Sequence, residues 1–355
     1  MKRHLWFLLL SFAFVALFSR ATSFLYAYEG GDPALFKQMG LALLQGKHLY
    51  TDLFDNKGRI LFFIQAIGLA LGGNFAILLL QTLSLTLTLV LWDKILAFRH
   101  GTRQRNLYLG LLGILLLCFY YNGDLSEEWC LPLATWPILA YLQRGEGVSS
   151  KGEKGLKSSK GLKGLKGEEP LNSFNTLNPL NPFYYFLAGL CFGAIAFIRI
   201  NNACAMVGFV AYALLTSVLD KRWKDFAKAL ACFLGGTAII ACLCLGYFYL
   251  TAGWCGVDDM LYATFTSNFE YIGLRFYPTW HALTAYTILI VVAIVLQVIN
   301  ARKEKDILIP TLIGYACFVL GFGTCCFVHY LMALLPLVVV LLMSLKPEKL
   351  HKIEK

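Results

Sequence analysis

The chain predicts an all-α, polytopic membrane protein with about ten transmembrane helices and a first outer loop of interfacial helices. Three observations lead there. Of its 355 residues 58% are hydrophobic and only 15% charged, with a mean hydropathy of +0.63, a composition outside the range of soluble domains. Apolar runs of roughly 17 to 25 residues recur from end to end between polar breaks. Helices are expected because each satisfies its own backbone hydrogen bonds in lipid. The basic residues, finally, are spread unevenly between the two sets of loops. The formal charge of +10 therefore reports topology, not affinity for nucleic acid.

The first apolar run, residues 5–25, follows Lys2-Arg3-His4 and resembles a secretory signal. Arg20 and the lack of a small-x-small cleavage site favour a retained helix. Residues 26–74 then form a polar outer loop, within which Pro33 to Leu44 reads as an interfacial helix. The apolar run from Ile60 to Leu71 stops at Gly72-Gly73-Asn74 and is too short to span, so it is expected to lie at the interface or re-enter. Further crossings are expected at about 75–94, 106–121, 129–143, 184–200, 203–219, 228–250, 284–300, 307–326 and 331–345. With both termini inside, the cytoplasmic segments hold about 24 of the 31 Lys and Arg residues.

These crossings fall into two regions. Residues 1–143 form an N-terminal transmembrane catalytic region, and 183–355 a C-terminal one with a short cytoplasmic tail. Residues 144–182, a repeat of Lys-Gly-Leu type followed by Asn-Pro-rich sequence, read as a disordered basic cytoplasmic linker. Its charge suits solvation or contact with anionic membrane lipids. Most of the 11 cysteines fall inside apolar runs, where Cys acts as a small hydrophobe. No Cys/His spacing of a metal site appears, and whether Cys130 and Cys255 pair is left open.

Ionisable groups at a membrane edge usually have a partner or a task. Four such groups share the outer side in this topology. They are Glu29 with Asp32; Tyr50, Asp52, Asp55 and Lys57; the turn Asn122 to Glu128 with Glu127 and Glu128; and Arg199, Asn201 and Asn202 with His329 and Tyr330. Each also has a purely structural role open to it. Asp32 ahead of Pro33 suits a helix cap, and Asp52, Asp55 and Lys57 suit exposed ion pairs. Arg199 suits snorkelling, and His329-Tyr330 suits interfacial anchoring.

Together these segments resemble a family. Gly31-Asp32, then Tyr50-x-Asp52-x-x-Asp55-x-Lys57-Gly58 with Leu61-Phe62-Phe63-Ile64, is similar to the first outer loop of bacterial GT-C glycosyltransferases. These are the protein mannosyltransferase and lipid A aminoarabinose transferase group with its lipopolysaccharide-core relatives. Glu127-Glu128, Arg199-x-Asn201-Asn202 and His329-Tyr330-Leu331-x-x-Leu334-Leu335-Pro336 are similar to that group as well.

The resemblance implies a GT-C-like fold in the bacterial cytoplasmic membrane. It also implies transfer of a sugar from a polyprenyl-phosphate carrier to a glycan, lipid or protein acceptor at the outer face. Asp32 matches the acid that would deprotonate the acceptor hydroxyl, and Lys57 the cation on the carrier phosphate. Arg199 and Arg59, which stands where the family usually has Pro, are expected as further phosphate contacts. Glu29, Tyr50, Asp52, Asp55, Glu127, Glu128, Asn201, Asn202, His329 and Tyr330 are expected around sugar and acceptor. The oxygen-rich acids suit magnesium or manganese, although no spacing demands a divalent metal. A secondary transporter or lipid flippase is the alternative, since many helices and buried charges describe those too.

Overall fold

The computed structural model describes residues 2–22, 30–156, 181–268, 270, 291, 295, 305–322 and 327–345. Helices account for the architecture: α1 Lys2–Phe18, α2 Asp32–Leu44, α3 Arg59–Leu96, α4 Thr102–Phe119, α5 Ser126–Leu156, α6 Pro182–Arg199, α7 Cys204–Leu219, α8 Trp223–Leu261, α9 Lys305–Phe322 and α10 Leu335–Ser344. Among the described residues there is no β-strand. Three helical stretches among the described residues are long and apolar enough to cross a membrane: Arg59–Leu96, Pro182–Leu219 and Trp223–Thr266. Shorter apolar helices cover Arg3–Phe18, Asp306–Phe322 and Val328–Ser344. The expected crossing at 284–300 lies almost wholly outside the described residues, as does Glu29.

The bend that sequence places at Gly72-Gly73 is real. Both residues leave helical geometry inside α3, Gly73 at φ 64° and ψ −141°, a conformation a Cβ would oppose. The interfacial run before the bend is thus a separate helical segment from residues 74–96. Gly68 packs against Ile77 across the corner, which brings Gln65 and Gln81 of α3 to one place. A second bend was not foreseen: Gly253, at φ 66°, breaks α8 and turns residues 254–266 toward the first loop. There Thr51 donates to Asp259 at 2.8 Å, and Asn268 donates to the Asn56 carbonyl at 2.7 Å.

At the other side of the chain, α5 continues to Leu156, where sequence predicts coil from Arg144. Extending a formed helix needs no new nucleus, so polar residues are accommodated at its end. The rest of the expected linker, residues 157–180, is outside the described residues. The backbone is extended at Arg199 (φ −168°, ψ 110°), which breaks the 182–219 stretch into α6 and α7. Every residue of α10 is buried, and this short helix packs against α3, α4 and α5.

The two ends of the bundle differ in chemistry. At one end Arg3 and Arg105 both pair with Asp93, and His100 meets the Leu342 carbonyl at 2.9 Å. At the other, Arg20 donates its backbone N–H to the Asn122 carbonyl, and Gly58 donates to the Ile198 carbonyl at 2.8 Å. Gly58 allows that last contact because a Cβ there would strike the Phe197 carbonyl. The Lys57 loop is thereby seated against the end of α6.

Candidate functional site

Asp32 opens α2, and the residue in the capping position is Gly31, whose φ of 64° suits glycine. No side chain caps this helix, so the capping role open to Asp32 is not the one it takes. Its carboxylate instead lies in the first turn, where the helix dipole favours negative charge. It faces Lys57, with Nζ 3.8 Å from Asp32 and 3.6 Å from Asp55. Lys57 is also held over the Phe36 ring of α2.

The loop that presents Lys57 is braced from within. The Asp55 carboxylate accepts the Lys57 backbone N–H at 2.9 Å, and the Tyr50 hydroxyl donates to the Lys57 carbonyl at 2.8 Å. Tyr50, at φ 70°, packs on Phe62 and Phe248. Asp52 is exposed and accepts the His48 N–H, closing the turn before the loop. Tyr50, Asp52 and Asp55 therefore shape the loop through these internal bonds.

Beside this loop runs a buried chain of charge. Arg199 donates to Glu127 at 2.9 Å and to the Tyr330 hydroxyl at 2.9 Å, with the Arg199 side chain 4% and the Glu127 side chain 1% exposed. Its guanidinium also lies over the Tyr330 ring. Snorkelling is excluded by that burial. His329, next to Tyr330, stacks on Tyr121 and Phe327. Burial holds its pKa below the usual histidine value; Glu127 and Asp32 oppose that shift, while Arg199 and Lys57 add to it. Four distant segments thus act on one imidazole, which stays neutral at neutral pH.

Three expected contacts are placed differently. Arg59, expected on phosphate, is fully buried, its guanidinium against the rings of Tyr247, Phe63 and Phe248. It follows Gly58 into the start of α3, so it points into the α3–α8 packing while Lys57 points to Asp32. Asn202 is buried with its amide toward the Cys130 sulfur at 3.6 Å, and Asn201 lies against Gly321. Cys130 and Cys255 are both free thiols.

Glu128 turns away from Glu127 into a second, deeper cluster. Its carboxylate accepts from the Tyr120 hydroxyl at 3.1 Å and from the Asp124 backbone N–H at 2.9 Å. Asp124 accepts from Trp129 and from Gln65, both at 2.8 Å. Burial pushes the Asp124 carboxyl up to about 7 against the hydrogen bonds of Trp129, Gln81 and Gln65. Burial, then the Asp124 charge, pushes Glu128 up to about 8. Lys37 of α2, bonded to the Ala21 carbonyl, is the cation facing Asp124. Sequence reading missed Gln65 and Gln81 here because neutral amides inside an apolar run carry no charge signal.

Among the described residues no three His, Cys, Asp or Glu side chains converge as a metal site. The acids at this end are organised around the chain's own cations, Lys57, Arg199 and Lys37. Comparison of the chain with protein-family models, curated proteins and solved structures finds no match.

Proposed function

We propose that this protein is a membrane glycosyltransferase that moves a sugar from a polyprenyl-phosphate donor to a cell-envelope glycan, lipid or protein acceptor. The reading places it in the bacterial cytoplasmic membrane, multi-pass with both termini cytoplasmic, and keeps the resemblance to the GT-C group. One observation carries it: Lys57 stands between Asp32 and Asp55, and beside that loop Arg199 joins Glu127 to Tyr330, whose ring meets His329.

Magnitudes separate the two cations. A partly exposed pair such as Lys57–Asp32 is worth about 0–1 kcal/mol, so an arriving phosphate displaces it at little cost. Breaking a buried pair such as Arg199–Glu127 costs about 3–5 kcal/mol. Lys57 is therefore the exchangeable phosphate ligand, and Arg199 fixes Glu127 and Tyr330 behind His329. In the reaction Asp32 takes the proton of the acceptor hydroxyl as that oxygen bonds to the anomeric carbon. The bond from that carbon to the phosphate oxygen breaks, and Lys57 stabilises the charge on the departing polyprenyl phosphate. Attack from the face opposite the leaving group inverts the anomeric centre. Neutral His329 orients the hydroxyl toward Asp32. A divalent cation has room in this scheme only beside the carrier phosphate.

The test is transfer of radiolabelled sugar from polyprenyl-phosphate sugars in membranes containing the full chain. Asp32→Asn should lower transfer by about 10²- to 10⁴-fold while the protein remains folded; transfer within twofold of wild type, by this same measure, sinks the base assignment. The buried Asp124–Glu128 cluster favours a second reading, a proton-coupled transporter or lipid flippase. Substrate uptake into proteoliposomes driven by a pH gradient, with no sugar transfer, would establish that reading instead.

A further inference from the structure

An apolar groove of about 580 Å³ runs between α1, α3 and α4, away from the site above. One face of α1 lines it from Arg3 through Trp6, Leu10 and Phe14 to Phe18, an i, i+3/i+4 stripe. At 1.5 Å per residue that stripe is about 22 Å long, the reach of a single lipid chain. The opposite wall is formed by Gly110 and Gly113 of α4, and a Cβ on either would meet nothing within 4 Å. The space is open because these two positions lack side chains.

Charge identifies the headgroup. At the Arg3 end Asp93 accepts two bonds from Arg3, at 2.9 and 2.7 Å, and pairs with Arg105 at 3.3 Å. Two guanidinium groups thus share one carboxylate, leaving an excess of one positive charge. Arg105 precedes Asn106 of the groove lining, and its Nε is buried with no hydrogen-bond partner. Arginine forks suit phosphate oxygens, and a choline headgroup would add an unwanted cation.

We propose that this groove binds one anionic phospholipid, with an acyl chain along the Gly110–Gly113 wall and its phosphate at Arg3 and Arg105. The site is distinct from the outer-end cluster and does not depend on the transfer chemistry. Its occupant braces α1, which packs on α3, against α4 across the gap between them.

Native mass spectrometry of the detergent-purified full chain, supplied with phosphatidylglycerol or phosphatidylcholine of equal chain length, tests the assignment. One phosphatidylglycerol per chain should be retained, preferred over phosphatidylcholine by about fivefold or more. Gly113→Leu or Gly110→Leu should abolish retention of both lipids. Arg105→Gln, which leaves the apolar wall intact, should bring the two lipids to equal retention, and it keeps the test decisive if a leucine variant unfolds. Equal retention by the wild-type chain, retention untouched by either leucine variant, or displacement of phosphatidylglycerol by an equal concentration of polyprenyl phosphate overturns the proposal.

Discussion

At the scale of single residues, neighbouring side chains with similar formulas do different work. Lys37 of α2 and Lys57 of the loop that follows it are close in sequence, yet Lys57 is poised between two carboxylates while Lys37 is buried on the Ala21 carbonyl beside Asp124. Lys57→Ala should reduce use of the lipid-phosphate donor with little change in melting temperature. Lys37→Ala should lower the melting temperature first, and sugar-transfer kinetics alongside thermal unfolding separate the two. Glu127→Ala strands Arg199 and should cost about 3–5 kcal/mol of stability, read by denaturant titration. The Asp124–Glu128 pair sets a pH dependence. Both carboxyls are raised by burial, to about 7 and about 8, so at these two groups the folded chain binds more protons than the unfolded one between about pH 4 and about pH 8. Stability should be highest at low pH and fall as pH rises through that window, and Asp124→Asn or Glu128→Gln should flatten the slope. Asp32, Lys57 and His329 were legible because charged or aromatic groups stand out at the ends of apolar runs. Gln65 was not, because it meets Asp124 only after α3 bends.

At the scale of elements, turns made by glycine decide what meets what. Gly73→Ala should destabilise the chain by about 1–3 kcal/mol, since a Cβ is strained at φ 64°, and thermal unfolding would register it. Gly58→Ala should push the Lys57 loop off α6 and reduce transfer even where the fold survives. The bend in α3 was readable because Gly72-Gly73-Asn74 interrupts the run. The bend in α8 was not, because a lone Gly253 inside an apolar stretch looks like any other small helical residue. Its consequence, a second outer segment bringing Asp259 and Asn268 onto the first loop, went with it. The extension of α5 to Leu156 was hidden by glycine- and lysine-rich composition that argues for coil.

At the scale of the whole molecule, two sets of charged residues gather separately. Asp32, Lys57, Arg199 and His329 come to one end, and Arg3, Asp93, Arg105 and His100 to the other. In the proposed orientation, Thr51→Cys should react with an impermeant maleimide on intact cells and Thr102→Cys only after lysis, in a background with the exposed Cys118, Cys242 and Cys255 changed to Ser. The reverse pattern would invert the topology and remove the site from the outer face. Which helix packs on which was beyond the sequence, since apolar runs of equal length carry no address. The Gly58 N–H on the Ile198 carbonyl, together with Glu127 on Arg199, joins residues from both sides of the stretch 157–180. Neither half can complete its own charge balance or seat its own loop. A chain cleaved within that stretch should therefore stay assembled as a non-covalent pair, and the halves made separately should be found only together.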